Sequence, residues 1–258
     1  MSHRIVIIGA GNLGTRLAVE LHKKGFIIEQ VYSRTRASAN RLARKINTHY
    51  ATSPGKIMPG ADIYFVALKD SAFDEVLPHV PIEDNLLVHC SGSIPLSSIG
   101  KYSKNTGVFY PLQTLSRNRQ LRFAKIPVFI EANSEENLNK LLKIASRISR
   151  EVSVLDSKSR LNLHIAAVFA CNFVNHFYTI AFEILKEKDI SFDVLKPLIL
   201  ETAQKVQTMD PANAQTGPAV RFDKNVISTH LEALNGFPGY GDIYKKLSRS
   251  IYNYHKNR

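Results

Sequence analysis

Cysteine is scarce in this chain of 258 residues: Cys90 and Cys171 are the two, and no CxxC pair occurs. That pattern excludes a disulfide framework and a thiolate zinc site. No metal is expected, and a reducing compartment, the cytoplasm, follows as the expectation. A secretory leader is not expected either. Arg4 is followed by a short apolar run, Ile5 to Ile8, before glycines begin, whereas the apolar region of a signal peptide needs about 7 to 15 residues. Internal repeats and low-complexity tracts are absent. Acidic residues are outnumbered, 22 against 34 basic ones, for a net charge of +12. Such a surplus suits nucleic acid, but here it is scattered. Its densest clusters are Arg34 to Arg44, without aromatic interleaving, and Lys245 to Arg258, at the chain end. A solvated helix face or a small anionic ligand accounts for the same charges, so no nucleic-acid partner is expected.

Long apolar runs are lacking with one exception. IAAVFACNFVNHFYTIAF, residues 165 to 182, is uncharged over 18 residues, the lower edge of the ~17 to 25 that cross a bilayer. Asn172, Asn175 and His176 make it costly in lipid. A helix apolar on nearly all sides is expected instead at the centre of a packed helical domain or a dimer, with no membrane span. His176, in a stripe with Phe169, Phe173 and Ile180, reads as a core or interface histidine.

What is present, with 44% apolar residues, is enough for substantial cores in one large domain or two ordinary ones. The first half alternates β-branched runs with helical periodicity. Strands are predicted at Arg4 to Ile8, Phe26 to Tyr32, Asp62 to Ala67, Leu86 to Cys90, Thr106 to Phe109, Pro127 to Ile130 and Val152 to Leu155. Leu13, Leu17 and Leu21 recur every four residues before a Lys23-Lys24-Gly25 stop. Further helices are predicted at Thr35 to Ile46 and between Asn133 and Ser149. Strands separated in this way imply a mainly parallel sheet with both faces covered. Beyond about Asp156, where Asp156 or Ser157 can cap a helix, strand signals end. Helices are expected at Lys158 to Lys188, Phe192 to Thr208, Lys224 to Asn235 and Gly241 to Tyr254. An α/β domain, 1–156, therefore precedes an all-helical one, 157–258.

The first strand runs into GAGNLG, a G-x-G-x-x-G turn. Gly9 permits the bend, Gly11 lets a pyrophosphate approach the main chain, and Gly14 lets the helix pack on the strand. Asn12, Leu13 and Gly14 open that helix with free N–H groups for the anion. At the end of the second strand, VYSRTR puts Ser33 where an NAD site would carry a carboxylate, and Glu29 lies too far back. Ser33, Arg34 and Thr35, followed by Arg36, suit a 2′-phosphate, hence NADP. The alternative is that both arginines merely solvate a helix start, where a cation is mildly unfavourable. Lys69, in VALKD, and Ser91, in HCSGS, follow two further strands and are expected beside the cofactor; ordinary turn chemistry explains them equally. YPLQT brings the Tyr110 phenol and the Gln113 amide to the same crevice.

These motifs, with HIAAVFACNFVNHFY and QTGPAVRFD, resemble a bacterial family of NADP-dependent oxidoreductases in which a Rossmann-like domain precedes a helical domain of unknown function. The resemblance covers nearly the whole chain. It is more distantly similar to pyrroline-5-carboxylate reductase, deazaflavin-dependent NADP reductases and the β-hydroxyacid dehydrogenases. It implies NADP, two domains and a homodimer built on the helical domain, and it brings no substrate.

Hydride transfer to C=O or C=N needs a proton donor near the nicotinamide. His164, Val168, Asn172 and Asn175 are spaced by four, four and three, one helical face. The β-hydroxyacid dehydrogenases carry a lysine on the corresponding helix, and none lies between His164 and Asn175. His164 is therefore the candidate acid or base and Asn172 the candidate for orienting substrate, against a purely structural role for each. Gln113, Asn175, Thr216 and Arg221 are candidate substrate contacts, Arg221 as a fork for a carboxylate; Arg221 and Asp223 equally serve to fix a loop and cap a helix. The expected activity is hydride transfer between NADP(H) and a small carbonyl, imine or hydroxy compound, with the substrate between the domains. The alternative is a non-catalytic NADP-binding sensor or scaffold.

Overall fold

The computed structural model describes residues 3–116, 119 and 121–256; the last two residues of the C-terminal basic cluster lie outside them. The chain divides into two compact units, Met1–Cys171 and Asn172–Arg258.

The first unit is built on one sheet of eight strands in the order β3-β2-β1-β4-β5-β6-β7-β8. The strands are β1 Arg4–Ile8, β2 Ile27–Tyr32, β3 His49–Ala51, β4 Ile63–Val66, β5 Leu86–His89, β6 Thr106–Pro111, β7 Val128–Ala132 and β8 Val152–Val154. All pairings are parallel except β6 with β7. The chain leaves β1 in one direction through β2 and β3, then returns to lay β4 on the other side of β1. Ligands of open α/β sheets bind at such a reversal, beyond the carboxyl ends of the strands.

Alternation places Ile5 and Ile7 in one core and Val6 and Ile8 in the other, because successive side chains of a strand point to opposite faces. Helix α1, Asn12–Lys23, buries Gly14, Leu17, Ala18 and Leu21. Helix α2, Arg36–Ile46, buries Ala39, Leu42, Ala43 and Ile46. Helix α3, Glu135–Ile148, buries Leu141, Ile144, Ala145 and Ile148, and the Ser134 side chain caps it by accepting from the Asn137 N–H. The predicted strands are all found within a residue or two of their expected bounds. One was missed: β3 is three residues long with one buried position, too short and too polar for periodicity to register.

After β8, the Asp156 carboxylate accepts from the Ser159 N–H at 2.8 Å and opens a helix of 30 residues, α4, Ser157–Lys186. Its start belongs to the first unit. Two side chains of its first turn and a half fix that start to the sheet. Arg160, buried, is ion-paired to Glu131 of β7 and donates to the Ile94 carbonyl at 2.6 Å. Ser157 donates to the same Glu131 at 2.8 Å and accepts from the Leu96 N–H at 2.9 Å.

The second unit contains the rest of α4, then α5, Lys196–Thr208, α6, Lys224–Ala233, and α7, Tyr240–His255. Of the two settings expected for the apolar helix, a packed domain centre or a dimer, the first is not formed within the single chain. The apolar stretch of α4 is not buried: Phe169 is 65% exposed and Phe173 44%, and His176 is exposed. The helical unit has little interior in which to bury it, since Ile227 and Ser248 are its buried side chains among the described residues. Leu198, at 62%, and Leu200, at 58%, add exposed apolar surface on α5. The α4 stretch is long and apolar enough to cross a membrane by length and composition.

Candidate functional site

At the β1–α1 turn the backbone leaves no room for side chains at two of the three glycines. Gly9 has φ +118°, and a β-carbon there would collide with the Ala67 carbonyl beyond β4. A β-carbon on Gly14 would overlap the Gly9 carbonyl oxygen. At Gly11, by contrast, a β-carbon would meet nothing within 4 Å, so the turn is open to the outside there. Gly11 is the N-cap of α1 and provides no side-chain cap, the first turn carries no carboxylate, and the last turn carries His22 and Lys23. The N–H groups of Asn12, Leu13 and Gly14 thus stand at the positive end of an uncapped helix, the arrangement that binds phosphate.

At the end of β2, the half-buried Ser33 donates its N–H to the Ala51 carbonyl at 3.1 Å. Arg34 and Thr35 are exposed. Thr35 flanks α2, whose start also lacks a side-chain cap and an acid in its first turn. Arg34 lies 3.4 Å from Glu75 in an exposed ion pair. Lys69 is exposed after β4. The Ser91 hydroxyl accepts from the N–H groups of Ser93, at 3.1 Å, and Ile94, at 3.2 Å, so the turn alternative is realised for its oxygen while its O–H remains a donor.

His164, half-buried on α4, meets the Tyr110 hydroxyl through Nδ1 at 2.9 Å. The rings are edge to face, with centroids 5.9 Å apart. Both press on Gly92, where a β-carbon would lie 2.6 Å from His164 Nδ1 and 2.9 Å from Tyr110 Cζ. Burial raises the Tyr110 phenol above its usual value, against the lowering effect of the nearby Arg160 charge. Behind them His89 is fully buried. Burial, with the Arg160 charge adding to it, pushes its imidazole down to about 3, and its Nδ1 accepts from the Ser91 N–H at 3.2 Å. Burial pushes the Cys90 thiol up to about 12, which removes it as a nucleophile at neutral pH. Glu131, Arg160 and His89 were not singled out by sequence reasoning, because their partners are far apart in sequence. Gly92, in HCSGS, was expected to follow its strand beside the cofactor or in an ordinary turn, and not to be where His164 and Tyr110 close in.

The first unit thus carries the glycine turn, Ser33, Arg34, Thr35, Lys69, Ser91 and His164. Gln113 is there too, exposed, with Oε1 accepting from the Thr114 N–H at 2.8 Å. The second unit carries Asn172, Asn175, Thr216 and Arg221, all exposed. A π-helical segment, Val168–Phe173, interrupts α4. Its i to i+5 bonding departs there from the 3.6-residue spacing on which the shared face of His164, Asn172 and Asn175 was read. In QTGPAVRFD, Asp223 caps α6 by accepting from the Val226 N–H at 3.2 Å, as the capping alternative anticipated. Phe222 is held left-handed at φ 50°, its ring 4.9 Å from that of Tyr252. No group of His, Cys, Asp and Glu suited to a metal occurs among the described residues.

Residues 4–91 match the family described as NADP oxidoreductase, coenzyme F420-dependent, and residues 126–251 match a domain of unknown function, DUF2520. A Bacteroides fragilis protein provisionally named an NADP oxidoreductase is 48% identical, with 98% of each chain covered and a TM-score of 0.92. The chain belongs to this family of two-domain NADP oxidoreductases. Two solved structures share the fold of the family at lower identity. One is an imine reductase from Myxococcus stipitatus in complex with NADP+, 17% identical over 98% of this chain and 93% of that one, TM-score 0.67. The other is a 1-pyrroline-5-carboxylate reductase from Streptococcus pyogenes, 14% identical over 98% and 99%, TM-score 0.60. No curated protein matches the chain. In this chain the DUF2520 match begins within the sheet unit, so that Glu131, Arg160 and His164 all fall inside it.

His89 sets a pH dependence. Its folded value, about 3, lies below the ordinary 6.5, so between those values the unfolded chain binds a proton that the folded one does not. The contribution is complete above about pH 6.5 and is lost as pH falls toward 3, at up to about 1.4 kcal/mol per pH unit. Urea unfolding between pH 6.5 and 4 is expected to show a steeper loss of stability for the native protein than for His89→Asn. Parallel slopes would contradict the assignment.

Proposed function

We propose that this protein transfers a hydride between NADP(H) and a small carbonyl, imine or hydroxy compound, and that it works as a homodimer through its helical unit. The observation that carries the cofactor reading is the uncapped, acid-free start of α1 behind a turn that excludes β-carbons, joined to a second strand end bearing Ser33, Arg34 and Thr35 in place of a carboxylate. The N–H groups of Asn12, Leu13 and Gly14 hold the pyrophosphate, and Arg34 with the Thr35 hydroxyl holds the 2′-phosphate. NADPH, when bound, supplies the hydride. The imidazole of His164 gives or takes the accompanying proton. An imine reductase crystallised with NADP+ on the same fold supports the cofactor and the carbonyl or imine class.

The dimer reading rests on the helical unit. An 87-residue segment whose interior holds one buried apolar side chain, Ile227, cannot offset its chain entropy alone. Its exposed phenylalanines and leucines need a covering surface, and a second copy supplies one that is self-complementary.

Two measurements test these readings. Arg34→Ala is expected to weaken NADPH binding about tenfold, about 1.4 kcal/mol, while NADH changes little; equal weakening of both in fluorescence titrations would overturn the 2′-phosphate role. Sedimentation equilibrium of the full chain at micromolar concentration is expected to give twice the 28.9 kDa chain mass. A monomer would overturn the dimer.

A further inference from the structure

His164 has two ring nitrogens, and which one holds the proton decides what the residue can offer. One of them is already engaged. Nδ1 lies 2.9 Å from the Tyr110 hydroxyl, inside a contact that has no slack, because the backbone at Gly92 packs against both rings. Tyr110 itself is 8% exposed, at the end of β6 on the sheet's carboxyl edge. On the helix side, Arg160 stands one turn before His164 and is held by Glu131, the Ile94 carbonyl and Ser157, which fixes the rotation of that part of α4.

We propose that Tyr110 is a positioning residue that locks His164 in the Nε2–H tautomer, so that the ring's only proton is carried by the nitrogen turned away from the phenol. A phenol raised by burial keeps its proton throughout the neutral range and must donate it. Among the described residues its one acceptor is His164 Nδ1. A nitrogen that accepts from an O–H cannot carry a proton of its own in the neutral ring. Nε2 therefore holds the hydrogen, and the His164 ring makes no second hydrogen bond among the described residues. The opposite arrangement, with Nδ1–H donating to the phenol oxygen, would strand the Tyr110 proton in a buried place, at a cost of about 1 to 3 kcal/mol. The charged and titratable groups around this pair are Arg160, Glu131 and His89. His89, neutral at a value of about 3, takes no part in the exchange.

This inference rests on the proton role proposed for His164, and it gives that role a direction: Nε2–H is presented to the substrate, and Nδ1 is protected from it. Its test requires no substrate, so it can fail or hold independently of whether hydride transfer is found. Long-range proton–nitrogen spectra of the full-length protein, uniformly labelled with nitrogen-15 and recorded with the imidazole neutral, are expected to show His164 Nδ1 unprotonated and Nε2 protonated. In Tyr110→Phe, a growing Nδ1–H population is expected, read as an upfield move of Nδ1 and a matching downfield move of Nε2 toward a common averaged shift. A wild-type ring protonated at Nδ1, or ring nitrogens indifferent to Tyr110→Phe, would overturn the proposal. Should that variant fail to fold, the wild-type protein carries a second measurement. A slowly exchanging Tyr110 hydroxyl proton coupled to His164 Nδ1 is expected, and a hydroxyl exchanging freely with water would overturn it.

Discussion

Lack of room governs this structure. Along the carboxyl edge of the sheet, three positions admit no β-carbon: Gly9 against the Ala67 carbonyl, Gly14 against the Gly9 carbonyl, and Gly92 against His164 and Tyr110. The first two bring β1, β4 and the start of α1 into direct backbone contact, and this leaves the helix N-terminus bare at the sheet's crevice. The third lets a helix that follows the last strand press its histidine onto the end of β5. Close packing of main chain is what exposes main chain, and exposed N–H groups at a helix start are a ready site for an anion. Gly11, with open space around it, marks where the excluded volume stops.

The polar groups beneath this edge are arranged to hold it still. Arg160 is a buried cation whose charge is met by Glu131 of β7, a pairing that contributes little net stability but is expensive to break. Its consequence is geometric: it ties the start of α4 to the only antiparallel part of the sheet and so delivers His164 to Tyr110. Burial keeps His89 neutral with the same charge adding to it, and that charge partly offsets the effect of burial on Tyr110. The His89 imidazole and the Tyr110 phenol, the two titratable groups beside this charge, are thus both uncharged at neutral pH.

Much of the fold was legible because it is written in local periodicity. Leu13, Leu17 and Leu21 announce α1, β-branched runs announce the strands of the sheet, and the glycine spacing declares its own purpose between a strand and a helix. Strand direction is not written locally, so the antiparallel β6–β7 pair gave no signal, and β3 is too short to give one. The site was legible where neighbours in sequence make it, at the glycine turn and at Ser33, Arg34 and Thr35. It was illegible where partners are distant, as with Tyr110 and His164 or Glu131 and Arg160. The π-helical segment had no periodic signature. The apolar run in α4 was read as the centre of a packed helical domain or of a dimer, and the sequence did not choose between them, because composition states what must be covered and not by what.

The account stands or falls on the anion-binding role of the bare start of α1. Hydrogen exchange of individual backbone amides, followed with and without NADPH, measures it directly. The account predicts that bound NADPH slows exchange at Asn12, Leu13 and Gly14. Saturating NADPH that leaves those amides exchanging at their free rate would contradict it.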